Sequence, residues 1–225
     1  MREREPARPA WDLVIFDCDG VLVDSEPIAN EVLEQALGAI GIGMPLDEVV
    51  ETFVGKTVPQ CLAIIEGLLG RPAPADFFDA WRRALYKEFE RRPVRAVAGV
   101  EAVLDALDVP TAVVSNGPLV KMSTTLGVTG LLPRFEGRIF SPDSGLPGKP
   151  QPDLFLAAAA AAGADPRRTA VIEDTATGAR GARAAGMTVF GYVGGAYADA
   201  DAMAAAGAVL FTDMRELPAL LSGAG

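Results

Sequence analysis

The sequence predicts an α/β fold: a parallel sheet core with helices on both faces, interrupted by an inserted all-helical domain. Three observations predict it. Short apolar runs recur from about Val97 onward, each ending in polar residues or glycine. Alanine-rich helical stretches separate those runs. Between about Leu46 and Arg92 no strand-like run appears. Alternating strands and helices imply a parallel sheet buried on both faces, and the helical block reads as an insertion into it. The expected division is a first core segment at 1–27, a helical domain at 28–94 and a second core segment at 95–225. A chain of 225 residues suits one core plus a small inserted domain.

Each element follows from its pattern. Leu13-Val-Ile-Phe16 is a short apolar run and reads as a buried strand. Pro27 suits a first helical turn, and Ile28, Val32, Leu33, Ala36, Leu37 and Ile40 follow at helical spacing until Gly41-Ile-Gly43 stops them. Pro59 starts a second helix with Leu62, Ile65, Leu68 and Leu69 on its apolar side. Asp76 is placed to cap a third, with Phe77, Trp81, Leu85 and Phe89 at four-residue steps. Phe77 and Trp81 read as packing, and Arg82, Arg83 and Lys87 as a solvated face. The later strands are Thr111–Val114, Arg138–Phe140, Thr169–Ile172, Thr188–Phe190 and Ala208–Phe211. Helices lie at Leu154–Ala162 and Ala176–Ala185, with Gly163 and Gly186 as their stops.

Composition narrows the function. The formal net charge of −10 argues against a nucleic-acid partner, which needs a basic patch. An anionic metabolite remains compatible, because local cations override a global field. Two cysteines make no disulfide framework and show no zinc spacing, which points to a reducing, cytoplasmic setting. Met1–Ala10 alternates charges without an apolar core, so it reads as a solvated tail and not as a signal or membrane segment. The absence of histidine excludes histidine triads, metal sites and relays.

Asp17 and Asp19 stand where the first strand ends, and residues i and i+2 of an extended chain share a side. Two carboxylates in one small volume repel unless a cation neutralises them. One can attack phosphorus as a nucleophile, and the other can move protons. Glu173 and Asp174 at another strand end add acidic metal ligands of the kind Mg²⁺ prefers. An EF-hand is excluded, since Gly20 falls at the fourth position of the loop and the motif needs glycine at the sixth. Ser115, Asn116 and Gly117 offer hydroxyl, amide and backbone N–H groups to phosphate oxygens. Lys149 can neutralise charge developing on phosphorus. In open α/β sheets, ligands bind beyond the carboxyl ends of the strands, where Asp17, Ser115, Asn116, Glu173 and Asp174 are expected to converge.

The order Asp17-x-Asp19, Ser115-Asn116, Lys149-Pro150, Glu173-Asp174 resembles the four motifs of the haloacid dehalogenase (HAD) superfamily, over essentially the whole chain. The runs FDCDGVLVDSEP and IEDTATGARGARAAGM are similar to its sugar-phosphate phosphatase and beta-phosphoglucomutase branch. VVSNGP, with Lys121-Met122 after it, looks like the 6-phosphogluconate phosphatase-like members. The resemblance implies a Rossmann-like core, an alpha-helical cap and Mg²⁺. It implies Asp17 as nucleophile, Asp19 as general acid/base, and Ser115 and Lys149 at the phosphate, with Gly20, Asn116 and Gly117 beside them. The implied metal ligands are Asp17, the main-chain carbonyl of Asp19, and Asp174, with Glu173 in support.

Within the superfamily, Asp19 argues against dehalogenases and phosphonoacetaldehyde hydrolases, which lack that acid. A mutase of the beta-phosphoglucomutase type carries a linker histidine and a cap arginine; Ala29 and Val58 stand at those places. Gly55-Lys56-Thr57 is no P-loop, because Val50 occupies the place of its first glycine; Lys56 is instead a candidate contact for an anionic substrate. Cys18 lies between the acids but points away from them. The expectation is a Mg²⁺-dependent phosphatase acting on a small phosphorylated metabolite, a sugar phosphate or a sugar-acid phosphate such as 6-phosphogluconate. It acts through an aspartyl-phosphate, as a monomer or small homo-oligomer, with the cap closing on linkers near Ser25–Ile28 and Pro93–Ala98. The alternatives are a phosphosugar mutase and a non-catalytic metabolite-binding protein.

Overall fold

The computed structural model describes residues 11–54, 56, 58–92 and 94–223. The tail Met1–Ala10, Gly55 and Thr57 of the excluded P-loop pattern, and Pro93 of the second linker lie outside the described residues.

The chain runs β1 (Leu13–Phe16), β2 (Val23–Asp24), α1 (Glu26–Ala39), α2 (Leu46–Phe53), α3 (Val58–Leu69) and α4 (Phe77–Arg91). It continues through β3 (Arg95–Ala96), α5 (Val100–Ala106), β4 (Thr111–Val114), α6 (Leu119–Val128), β5 (Ile139–Phe140) and α7 (Asp153–Ala162). It closes with β6 (Thr169–Glu173), α8 (Ala176–Ala184), β7 (Thr188–Tyr192), α9 (Ala200–Ala205), β8 (Val209–Phe211) and α10 (Leu217–Gly223). Six strands form one parallel sheet in the order β5-β4-β1-β6-β7-β8. This is a Rossmann-like α/β core.

β1 lies between β4 and β6. Val14 pairs with Thr111 on one side and with Ala170 on the other. Its four residues are all buried, yet they divide between two apolar clusters as a two-residue period requires. Val14 and Phe16 join Val113, Ile172 and Phe190 under α5, α6 and α10. Leu13 and Ile15 join Val114, Val171 and Val189 under α7, α8 and α9. Cys18, beyond the strand, also falls in the first cluster.

Helices α1 to α4 enclose a third apolar cluster built on Leu37, Val49, Phe53, Ile65 and Phe77. The bases of α1 and α4 are continuous with the sheet, because Ile28, Val32, Leu85 and Phe89 belong to its first cluster. The entry and exit of this block pair with each other: β2 and β3 form a two-residue antiparallel ribbon, Val23 opposite Ala96 and Asp24 opposite Arg95. The sequence reading missed this ribbon, and it began the helical block two residues after α1 begins. Asp76 stands at the start of α4 but makes no side-chain capping bond. Thr175 and Asp199 do cap their helices, accepting from Gly178 N and Ala202 N. Among the described residues no helix is long and apolar enough to cross a membrane.

Candidate active site

Three strand ends build the site. β1 delivers Asp17, β4 delivers Ser115, and β6 delivers Glu173 and Asp174. After β1 the chain turns tightly, with Leu22 N donating to Cys18 O at 2.9 Å and Gly20 N to Val23 O at 2.9 Å. Gly20 sits at φ +75°, and a Cβ there would lie 1.9 Å from Asp174 Oδ2. Only glycine lets the Asp19 loop close over Asp174.

Lys149 is the buried centre of charge. Its Nζ donates to Asp17 Oδ1 at 2.7 Å and makes a short bond to Glu173 Oε1. Burial alone works against the ammonium, but the Asp17 and Glu173 carboxylates outweigh it and hold Lys149 above its ordinary value. Its backbone is gripped by Asn116: Lys149 N donates to Oδ1 at 2.7 Å, and Nδ2 donates to Lys149 O at 3.0 Å. Glu173 is committed on both oxygens, since Oε2 accepts from Thr175 N at 3.1 Å and Thr175 Oγ1 at 2.9 Å.

Asp19 has its own partners. Lys121 Nζ, from the first turn of α6, lies 2.7 Å from Oδ2, and Ser25 Oγ donates to Oδ1 at 2.5 Å. Burial pushes this carboxyl up, but Lys121 and Ser25 more than offset it and favour the ionised form. Asp17 behaves oppositely: burial raises it, against the pull of Lys149. Burial also pushes Asp174 well above the carboxylate range, helped by the charges of Asp17, Glu173 and Glu26. Burial is also the main reason Glu26 rises to about 6, with Asp19 and Asp24 adding to it.

The residues expected at the site divide into those that meet and those otherwise engaged. Asp17, Glu173 and Asp174 each offer an oxygen within 4.8 Å of the others. The Asp19 side chain is outside that group, turned to Lys121 and Ser25. Three residues expected beside the phosphate have protein contacts of their own. The Asn116 side chain is spent on the Lys149 backbone. Gly117 N donates to Ser115 Oγ at 3.1 Å. Gly20 makes room for Asp174. Lys56 is exposed and lines a cavity with Glu26 and Trp81, among whose lining residues Lys149, Asp17, Glu173 and Asp174 do not figure. No chemical role in the site is expected from the sequence for Lys121, Ser25, Glu26 or Thr175. Lys121 carried one usable signal: it stands four residues after Gly117, in the first turn of the helix that follows β4.

The residues fit a divalent cation. Asp174 Oδ1 is buried with no hydrogen-bond partner. Four carboxylates (Asp17, Asp19, Glu173, Asp174) face two ammonium groups (Lys149, Lys121), leaving two negative charges to neutralise. An all-oxygen donor set suits a hard cation.

The model of the haloacid dehalogenase-like hydrolases matches residues 11–186, and the chain belongs to that family. It is 32% identical over 180 residues to the 6-phosphogluconate phosphatase of Escherichia coli (strain K12), covering 80% of this chain and 81% of that one. A conserved haloacid dehalogenase-like protein of unknown function from Agrobacterium tumefaciens str. C58 superposes with a TM-score of 0.85 at 37% identity, covering 95% of this chain and 98% of that one. A HAD family hydrolase from Deinococcus radiodurans R1, solved with bound phosphate and sodium, superposes with a TM-score of 0.81 at 34% identity, covering 97% and 98%. Within the family, the chain is a phosphatase.

Proposed function

We propose that this phosphatase is Mg²⁺-dependent and removes phosphate from a small phosphorylated metabolite, a sugar phosphate or sugar-acid phosphate such as 6-phosphogluconate. The observation that carries the chemistry is the buried Asp17–Lys149–Glu173 contact beside the unpartnered oxygen of Asp174. Lys149 occupies Asp17 Oδ1, which leaves the other oxygen of Asp17 to attack phosphorus. The P–O bond to the leaving alcohol breaks as the aspartyl-phosphate forms, and Asp19 gives that alcohol its proton. Asp19, now ionised and favoured so by Lys121, takes a proton from water as the water attacks phosphorus and the P–O bond to Asp17 breaks, freeing its carboxylate. Phosphate leaves, and Asp19 carries the proton needed for the next leaving group. Asp17 and Asp174 would hold Mg²⁺, with Glu173 fixing Lys149; a bound Mg²⁺ supplies charge neutralisation for the attacking carboxylate and the phosphate. The substrate class is supported by the likeness to the 6-phosphogluconate phosphatase.

The test is phosphate release from sugar phosphates, sugar-acid phosphates and nucleotides, with and without Mg²⁺, for wild type and Asp17→Asn. Release that requires Mg²⁺ and vanishes in the variant is expected. Retained turnover in Asp17→Asn would sink the nucleophile assignment.

A further inference from the structure

We propose that Lys121 is a positioning residue for the second half of the reaction: it holds Asp19 in place to activate water once the alcohol has left, and so keeps the aspartyl-phosphate short-lived. This rests on the reading of Asp17 as nucleophile and Asp19 as general acid/base. In that half of the reaction water attacks phosphorus and passes a proton to Asp19. The P–O bond to Asp17 breaks, and its electron pair returns to the Asp17 carboxylate. The departed alcohol no longer orients Asp19 at this stage, so groups of the protein itself must do so.

Two groups hold Asp19, and they come from different places. Ser25, whose hydroxyl donates to Oδ1, stands at the entry to α1 and the helical block. Lys121, whose Nζ lies 2.7 Å from Oδ2, belongs to α6 beside the sheet. Lys121 serves Asp19 alone: among the described residues no other carboxylate lies within ion-pair distance of its ammonium, whereas Lys149 is shared by Asp17 and Glu173. Its own backbone is fixed, since Lys121 N donates to Pro118 O at 3.0 Å and Lys121 O accepts from Thr125 Oγ1 at 3.1 Å. Met122 and Leu126, on the same helix, are fully buried in the first apolar cluster. A Cβ on Gly117 would lie 3.7 Å from Asp19 Oδ2 and 3.8 Å from Lys121 Cδ, which sets the pair against the turn that carries Ser115. The grip on Oδ2 is therefore made between the loop after β1 and α6, and it does not need the helical block. The Asp19 side chain is 24% exposed, so Oδ2 without Lys121 is free to turn toward solvent. Each carboxylate oxygen has two lone pairs, so an oxygen held by Lys121 or Ser25 still accepts a proton from water.

The experiment is a single turnover of limiting p-nitrophenyl phosphate with Mg²⁺ and enzyme in saturating excess, in wild type, Lys121→Met, Lys121→Arg and Asp19→Asn. It follows p-nitrophenol, inorganic phosphate and phosphate bound to the enzyme. p-Nitrophenolate departs without a proton, so the first half proceeds without help from Asp19 and the second does not. Lys121→Met is expected to release p-nitrophenol at close to the wild-type rate and to slow phosphate release about ten- to a hundredfold. The difference accumulates as phosphoenzyme. Its peak reports the ratio of the two rates, so neither the fraction of folded enzyme nor a general loosening that slows both halves alike moves it. Lys121→Arg, which keeps the cation, is expected to bring the peak back toward wild type. A peak unchanged in Lys121→Met but raised in Asp19→Asn overturns the role of Lys121 and leaves the acid/base reading intact. A peak unchanged in Asp19→Asn overturns that reading, and the role of Lys121 with it.

Discussion

Replacing Asp174 by asparagine is expected to stabilise the cation-free protein and silence the enzyme. In the absence of a cation, Asp174 is a buried carboxyl with one oxygen unpartnered, pushed up by burial and by the nearby carboxylates of Asp17, Glu173 and Glu26. Asparagine keeps the shape, so the space left by Gly20 still accommodates it. Relieving one buried unsatisfied group is worth about 1–3 kcal/mol. For a chain of this size that raises Tm by roughly 2–12 °C, at about 2–4 °C per kcal/mol. Wild type should gain about 2.7 kcal/mol when Mg²⁺ is present at a hundred times its Kd, and the variant should gain almost nothing. Scanning calorimetry in EDTA and in Mg²⁺, beside phosphate release, reads all three quantities. A variant that melts below wild type in EDTA, or keeps the full Mg²⁺ shift, would refute the reasoning.

Other perturbations follow from the same contacts. Lys149→Met leaves Asp17 and Glu173 buried without their shared cation; a loss of about 3–5 kcal/mol by urea unfolding and no detectable phosphate release are expected. Asn116→Ala removes both bonds that fix the Lys149 backbone, so kcat should fall roughly tenfold or more, with KM changed far less, if Asn116 positions the lysine and does not bind phosphate. At the surface, Arg215 holds Asp213 down to about 2. A lowered carboxyl stabilises the fold above its unfolded value of about 3.9 and loses that contribution as pH falls toward 2. Arg215→Ala should therefore be less stable than wild type at neutral pH, and the two melting curves should converge between about pH 4 and pH 2.

Much of the candidate site's placement was legible because its signals are local. Apolar runs ending in Asp17, Ser115 and Glu173-Asp174 announce strand ends, and strand ends of a parallel sheet converge whatever lies between them. What could not be read depends on long-range pairing. Nothing local marks Lys121 as the partner of Asp19, or Asn116 as the clamp on Lys149. The contacts of Gly20 with Asp174 and of Asn116 with Lys149 were equally hidden, since composition says what a group can bond and only packing says what it meets. The β2–β3 ribbon is two residues a side, too short for any periodicity to show.

The central place of β1 also bears on how the molecule is made. It is the first strand described from the N-terminus, yet its partners are β4 and β6, each contributed by chain far downstream. During synthesis, an apolar strand with two unsatisfied edges must wait for both neighbours to emerge, and such an edge is an invitation to pair with another chain. Fragments ending before Thr169 should therefore aggregate, since β6 never arrives to cover one side of β1. For the same reason catalysis is a late reporter of folding. Regained turnover marks the moment when β1, β4 and β6 stand side by side, and no half-built sheet can show it.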